Sequence, residues 1–254
     1  MNWLDESLSR VGRFSEELFG PRLAAVILFG SYARGDYNAE SDVDIMVLVD
    51  MDANALASHK QEFSRLESEL GMQYDVTYSF ILKDKATFDY WRDTMPLYKN
   101  VLKDGKICFG KVAPSVGFTD EEAASKRAEL SEYRMNKARK FLVTAANTIA
   151  TGDFDSSVSR SYYAIFNALL AVLATEGVGF KSHSAVISYF RHHYVKTGIF
   201  GADVSDYIRD AFEARLESDY GEYADASRED AEEQLSNARA LVGKVAEYLK
   251  ARAE

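Results

Sequence analysis

The chain has 254 residues, 47% of them hydrophobic and 28% charged, with three prolines, four histidines and one cysteine. That balance excludes a disordered or fibrous chain, and the lone Cys108 excludes a disulfide framework or a cysteine-based zinc cluster. Thirty Lys and Arg against forty Asp and Glu give a formal charge of −10, which argues against sequence-blind binding along a phosphate backbone. No apolar run approaches the ~20 residues of a membrane span. The N-terminus, MNWLDESLSR, carries acids and lacks the apolar region of a secretory signal, so a cytoplasmic location without membrane contact is the expectation.

In chain order, Leu23–Phe29 is a continuous apolar run ending at Gly30 and predicts a strand buried on both faces. Asp42–Asp50, DVDIMVLVD, predicts a second strand. Leu56, Phe63, Leu66 and Leu70 fall at helical spacing, which predicts one amphipathic helix over 54–70 closed by Gly71. Tyr74–Phe80, rich in aromatic and β-branched residues, predicts a third strand carrying Asp75. Asp104-Gly105, between Val101-Leu102 and Ile107-Cys108-Phe109, predicts a small hairpin in which Cys108 is a core residue. The stretch GKVAPSVGFTD then holds two of the fifteen glycines and one proline. It predicts a linker at 113–120 between domains at 1–112 and 121–254. Beyond it the periodicity is helical, with helices expected at about 121–150, 153–175, 182–194, 204–219 and 228–251.

The chemistry concentrates in ILFGSYARGDYNAESDVDIMVLV, residues 27–49. A buried strand ends in Gly30-Ser31, where a residue without Cβ lets a phosphate approach the backbone and amides with the Ser31 hydroxyl can hold its oxygens. Ten residues after Ser31, Ser41-Asp42-Val43-Asp44 opens the next strand. Period-two alternation puts Asp42 and Asp44 on one face, roughly 6–7 Å apart. Paired carboxylates there are tolerable when divalent cations neutralise them, and hard cations such as Mg²⁺ commonly share such oxygens with substrate phosphates. A third acid on the neighbouring strand would complete the cage, and Asp75 is the well-placed candidate.

Gly30-Ser31-Tyr32-Ala33-Arg34-Gly35, five residues, then Ser41-Asp42-Val43-Asp44, resembles the signature of the minimal nucleotidyltransferases of the polymerase-β superfamily. The resemblance spans about residues 1–110. It implies a small mixed sheet flanked by helices, which with the up-down all-α bundle expected from the periodicity beyond residue 118 makes an α+β chain. It implies that Gly30 and Ser31 hold the triphosphate of ATP or another nucleotide. Asp42, Asp44 and Asp75 are then the catalytic and metal-binding carboxylates for two Mg²⁺ ions, with Asp75 as base. Arg34 contacts phosphate or shapes the loop, and Tyr32 is placed to stack on a base. The implied reaction moves a nucleoside monophosphate, AMP foremost, to a hydroxyl of a small molecule, a protein tyrosine or an RNA end. The same residues also fit a non-catalytic nucleotide-binding or antitoxin-like protein whose helical half binds a partner.

The second half, with Ser159–Ala168 opening a helix apolar nearly all round, then Lys181-Ser182-His183 and later Arg215–Tyr220, resembles the HEPN domain over about 121–251. Domains of this kind often dimerise, so a homodimer through the helical half is expected. Ribonuclease members carry an Arg, four to six residues, then a His. Here Arg191 directly abuts His192, so ribonuclease activity is not expected. His192-His193-Tyr194 faintly resembles, without its arginine, the element that two-protein toxin–antitoxin systems adenylylate, and packing at a helix end is the preferred reading of Tyr194. His183 reads as a cap or packing residue. Charge is uneven here: residues 126–196 carry ten basic and five acidic side chains, residues 203–233 three and twelve.

Overall fold

The computed structural model describes residues 3–112, 118–180, 182–220 and 225–253. The chain divides into two compact units, Met1–Gly117 and Phe118–Glu254. Of the expected linker, residues 113–117 lie outside the described residues.

In the first unit the two apolar runs become β1 (Leu23–Phe29) and β2 (Val43–Val49), joined by the short helix α2 (Gly30–Arg34) and a loop. With β3 (Tyr78–Asp84) and β4 (Lys106–Gly110) they form one sheet in the order β3-β2-β1-β4. β1 pairs antiparallel with β2 and β4, and β2 pairs parallel with β3, so the sheet is mixed. Alternation explains why the two central strands are apolar on both faces, save Asp44 near the start of β2. Val26, Leu28, Ile45 and Val47 enter one core with α1 (Trp3–Phe19) and α4 (Lys60–Tyr74). Ala25, Ile27, Met46 and Leu48 enter another with α5 (Lys85–Trp91) and α6 (Pro96–Asp104).

Several local expectations change. The helix expected over 54–70 is two, α3 (Ala53–Ala57), capped by the Asp52 carboxylate, and α4. Gly71 does not end α4; Asp75 does, in left-handed conformation at φ 54°. The third strand therefore starts at Tyr78, and Tyr74 and Asp75 belong to the helix and its cap. No hairpin forms at Asp104-Gly105. Pro96 starts α6, whose Tyr98 and Val101 are buried at i, i+3 spacing, so Val101-Leu102 is helical and β4 finds its partner in β1. Cys108 is exposed on that edge strand.

The second unit follows its periodicity closely: α7 (Asp120–Thr151), α8 (Phe154–Thr175), α9 (His183–Phe190), α10 (Ala202–Tyr220) and α11 (Arg228–Ala253). Thr119 and Glu122 form a reciprocal capping box at the start of α7, and Gly152 ends it at φ 83°. The apolar α8 is central, with Ile165, Leu169 and Val172 in the main core. α9 runs into one π turn, Arg191–Val195. Tyr194 within it is 2% exposed, a core packing residue whose hydroxyl burial pushes far above the ordinary tyrosine range. Among the described residues no helix is long and apolar enough to cross a membrane.

Candidate active site

The antiparallel register sets Phe29, the last residue of β1, opposite Asp44 near the start of β2. Gly30 follows at φ 76°. A Cβ built on Gly30 would stand 2.1 Å from Asp44 Oδ2 and 3.1 Å from its Cγ. The carboxylate of Asp44 thus lies directly on the backbone where β1 turns into α2, and only glycine permits both the backbone angle and the approach. The link between the glycine turn and the aspartate pair, separated by α2 and its loop, is made by strand register.

Ser31 is half-buried, and its hydroxyl has no hydrogen-bond partner among the described residues. Its carbonyl accepts from the amides of Gly35 at 2.8 Å and Asp36 at 3.2 Å, which closes the turn after α2. Arg34 is engaged by Asp36, with Nη2 at 2.9 Å from Oδ1 and Nε at 3.1 Å from Oδ2. That pairing holds the loop. The loop is pinned again by Asn38 and Ser41: the Ser41 hydroxyl accepts from the Asn38 amide at 3.0 Å and donates to its side-chain carbonyl at 3.1 Å. This delivers Asp42, exposed, to the edge of β2, where the Val43 amide donates to the Thr77 carbonyl at 2.8 Å.

Tyr32 does not offer its ring. It is 6% exposed, with Tyr37 stacked on it at 4.2 Å and Trp3 edge-on at 5.9 Å. The accessible ring of this pair is that of Tyr37, 53% exposed, which the sequence reading passed over.

A cleft of about 650 Å³ adjoins Ser41 and is walled by Glu40, Glu67 and Asp75. Glu67, on α4, was also missed. Burial first and the charge of Asp42 second raise its carboxyl above the ordinary range, so it stands within electrostatic reach of Asp42. Only helix phase and the return of β3 beside β2 bring it there, and neither is visible in a linear motif. Asp75 faces this cleft from the end of α4. Asp42 and Asp44 share the strand entrance, whereas no group of three or more His, Cys, Asp or Glu able to hold a metal gathers among the described residues.

In the helical unit, His183 is the first residue of α9, behind the Ser182 cap. Its Nδ1 is 2.7 Å from the Tyr162 hydroxyl, and its ring stacks on Phe166 at 4.0 Å. That is packing, as expected.

Residues 8–108 match the model of the nucleotidyltransferase domain, and residues 131–248 that of the HEPN domain. A Methanocaldococcus jannaschii protein named "Putative toxin" is 30% identical over 118 residues, 46% of this chain and 80% of that protein. Another from the same organism, named "Putative protein adenylyltransferase", is 33% identical over 88 residues, 35% of this chain and 80% of that protein. The chain is therefore a nucleotidyltransferase that belongs, through residues 8–108, to the nucleotidyltransferase domain family and, through residues 131–248, to the HEPN domain family.

Proposed function

We propose that the chain transfers a nucleoside monophosphate, AMP from ATP, to a hydroxyl acceptor and releases pyrophosphate in a magnesium-dependent reaction. The observation that carries the reading is the Asp44 carboxylate seated on the Gly30 backbone, beside a Ser31 hydroxyl without a hydrogen-bond partner among the described residues. Asp42 and Asp44 are hard oxygen donors at one strand entrance, and this set fits a divalent cation that shares its remaining positions with phosphate oxygens. When bound, two magnesium ions would supply activation of the acceptor and neutralisation of the leaving pyrophosphate.

The chain's own residues do the rest. The Gly30 and Ser31 backbone and the Ser31 hydroxyl position the triphosphate. The acceptor oxygen forms a bond to the α-phosphorus while the α–β bridging bond breaks, and the acceptor proton passes to Asp75, the base in this reading. The name of the second relative supports adenylyl transfer to a protein side chain, so a tyrosine hydroxyl heads the acceptors, before an RNA end or a small molecule. Buried Tyr194 is not available as that acceptor without opening of the helical core.

The test is incubation with labelled ATP, GTP, CTP and UTP plus magnesium, with and without tyrosine-bearing protein acceptors. Release from ATP that vanishes in an Asp42→Ala, Asp44→Ala double variant is expected. Release that survives the double change would sink the mechanism, and no release with any nucleotide would leave nucleotide binding alone.

A further inference from the structure

The helical unit holds a cavity that the reaction above does not use. It lies among the starts of α8 and α11 and the end of α10, and its volume is about 310 Å³, the low end for a small-ligand site. Asp155, Glu217, Asp225 and Asp230 line it, and no Lys, Arg or His does so among the described residues.

Two of these acids are accounted for by local structure. Asp155 accepts from the Ala226 amide at 3.0 Å. Asp230 accepts from the Ser227 amide at 2.9 Å, and its own amide donates to the Ser227 hydroxyl at 3.2 Å. Both lie in the first turn of a helix, where an acid is favoured. Glu217 and Asp225 have no such account. Neither makes an ion pair or a side-chain hydrogen bond among the described residues. Glu217 also lies in the last turn of α10, at the negative end of the helix. Arg228, close by on α11, is engaged by Glu232 at 3.4 Å and by the Phe154 ring.

An independent observation concerns Gln234. It is 8% exposed and lines the cavity, and its Oε1 is buried without a hydrogen-bond partner. A buried acceptor left unpaired is destabilising, and a donor entering from the cavity relieves it. A cationic donor answers the orphaned acceptor and the uncompensated acids together. The lining charge repels any phosphate-bearing ligand. A single metal ion does not match either, because no group of three or more acids able to hold one gathers among the described residues. Charges carried apart on a flexible chain do match: each ammonium group meets its own oxygen, and Val158 and Ala214 give the methylenes between them an apolar wall. Alkyl ammonium groups stay charged at neutral pH, as lysine does.

We propose that this cavity is a binding site for a short linear polyamine. One ammonium group donates to Gln234 Oε1, and Glu217 and Asp225 hold the remaining charge.

The test is equilibrium dialysis of labelled spermidine and putrescine against the full chain without magnesium, at low and at raised salt. Saturable binding at one site per chain is expected, weaker as salt rises. A Glu217→Gln, Asp225→Asn variant should bind at least about ten-fold more weakly. So should Gln234→Leu, which removes the orphaned acceptor and should leave the melting temperature unchanged or higher. Asp42→Ala, Asp44→Ala should bind like the parent, which keeps this site apart from the proposed magnesium site. Circular dichroism melting of each variant separates lost binding from lost fold. No saturable binding of either amine, or binding indifferent to the cavity variants in folded protein, would overturn the proposal. So would calcium or magnesium that displaces spermidine from these residues at equal concentration.

Discussion

Gly30→Ala is the sharpest perturbation of the proposed active site. Two costs are separable from the structure. At φ 76° a residue with Cβ pays about 1–2 kcal/mol of backbone strain. The new methyl also meets Asp44 Oδ2 at 2.1 Å, well inside contact distance, so the carboxylate must swing away by an ångström or more. Gly35 isolates the first cost: its φ is 83°, and a Cβ there meets nothing within 4 Å. Gly35→Ala should therefore lose about 1–2 kcal/mol of stability, on the order of 4 °C or more in melting temperature for a unit of this size, and Gly30→Ala at least as much. Only Gly30→Ala should lose activity, by about 100-fold, since displacing a reacting group by an ångström costs about that much. Thermal melts and initial rates of pyrophosphate release, run side by side, give the comparison. Equal rates in the two variants, both folded, would refute the claim that Asp44 works from the Gly30 backbone.

Other consequences are as direct. Burial, and then the Arg215 charge, hold the His183 pKa below its ordinary 6.5, so between the folded and unfolded values the unfolded chain binds the extra proton. Stability should fall as pH drops below about 6.5, by at most ~1.4 kcal/mol per pH unit, and urea unfolding at pH 7.5 and pH 5 should show this component missing in His183→Gln. An unchanged pH dependence in that variant would contradict it. Carboxyl-carbon NMR titration of Glu67 should show a raised midpoint that moves down in Asp42→Asn, with the burial part remaining; no movement would place Glu67 out of reach of Asp42. Ser131 is 5% exposed and donates to the Ala171 carbonyl at 2.8 Å, tying α7 to α8, so Ser131→Ala should cost about 1 kcal/mol in denaturant unfolding without altering pyrophosphate release.

Much of this molecule is legible from composition and periodicity. The runs at 23–29 and 45–49 are apolar throughout because both faces of β1 and β2 are covered, and no helical phase competes with that pattern. The helices after residue 118 declare themselves through spacing, caps and the absence of proline. Local pattern fails where two structures satisfy it equally. Val101-Leu102 suits a strand, yet Pro96 and the burial of Tyr98 and Val101 make it helical. Tyr74-Asp75 suits a strand, yet α4 runs on through Gly71 because its buried Phe63, Leu66 and Leu70 anchor it before the glycine.

For the proposed active site, the sequence by itself singles out the residues proposed to bear the chemistry, Gly30, Ser31, Asp42 and Asp44, through type and spacing within 15 residues. Only the tertiary structure decides that Asp44 rests on Gly30, that Asp36 holds Arg34, that Tyr37 covers Tyr32, and that Glu67 comes near Asp42. The reason is that each of these is set by strand register, loop closure or helix phase, which the path of the chain in space fixes, whereas a motif records only residue type and spacing.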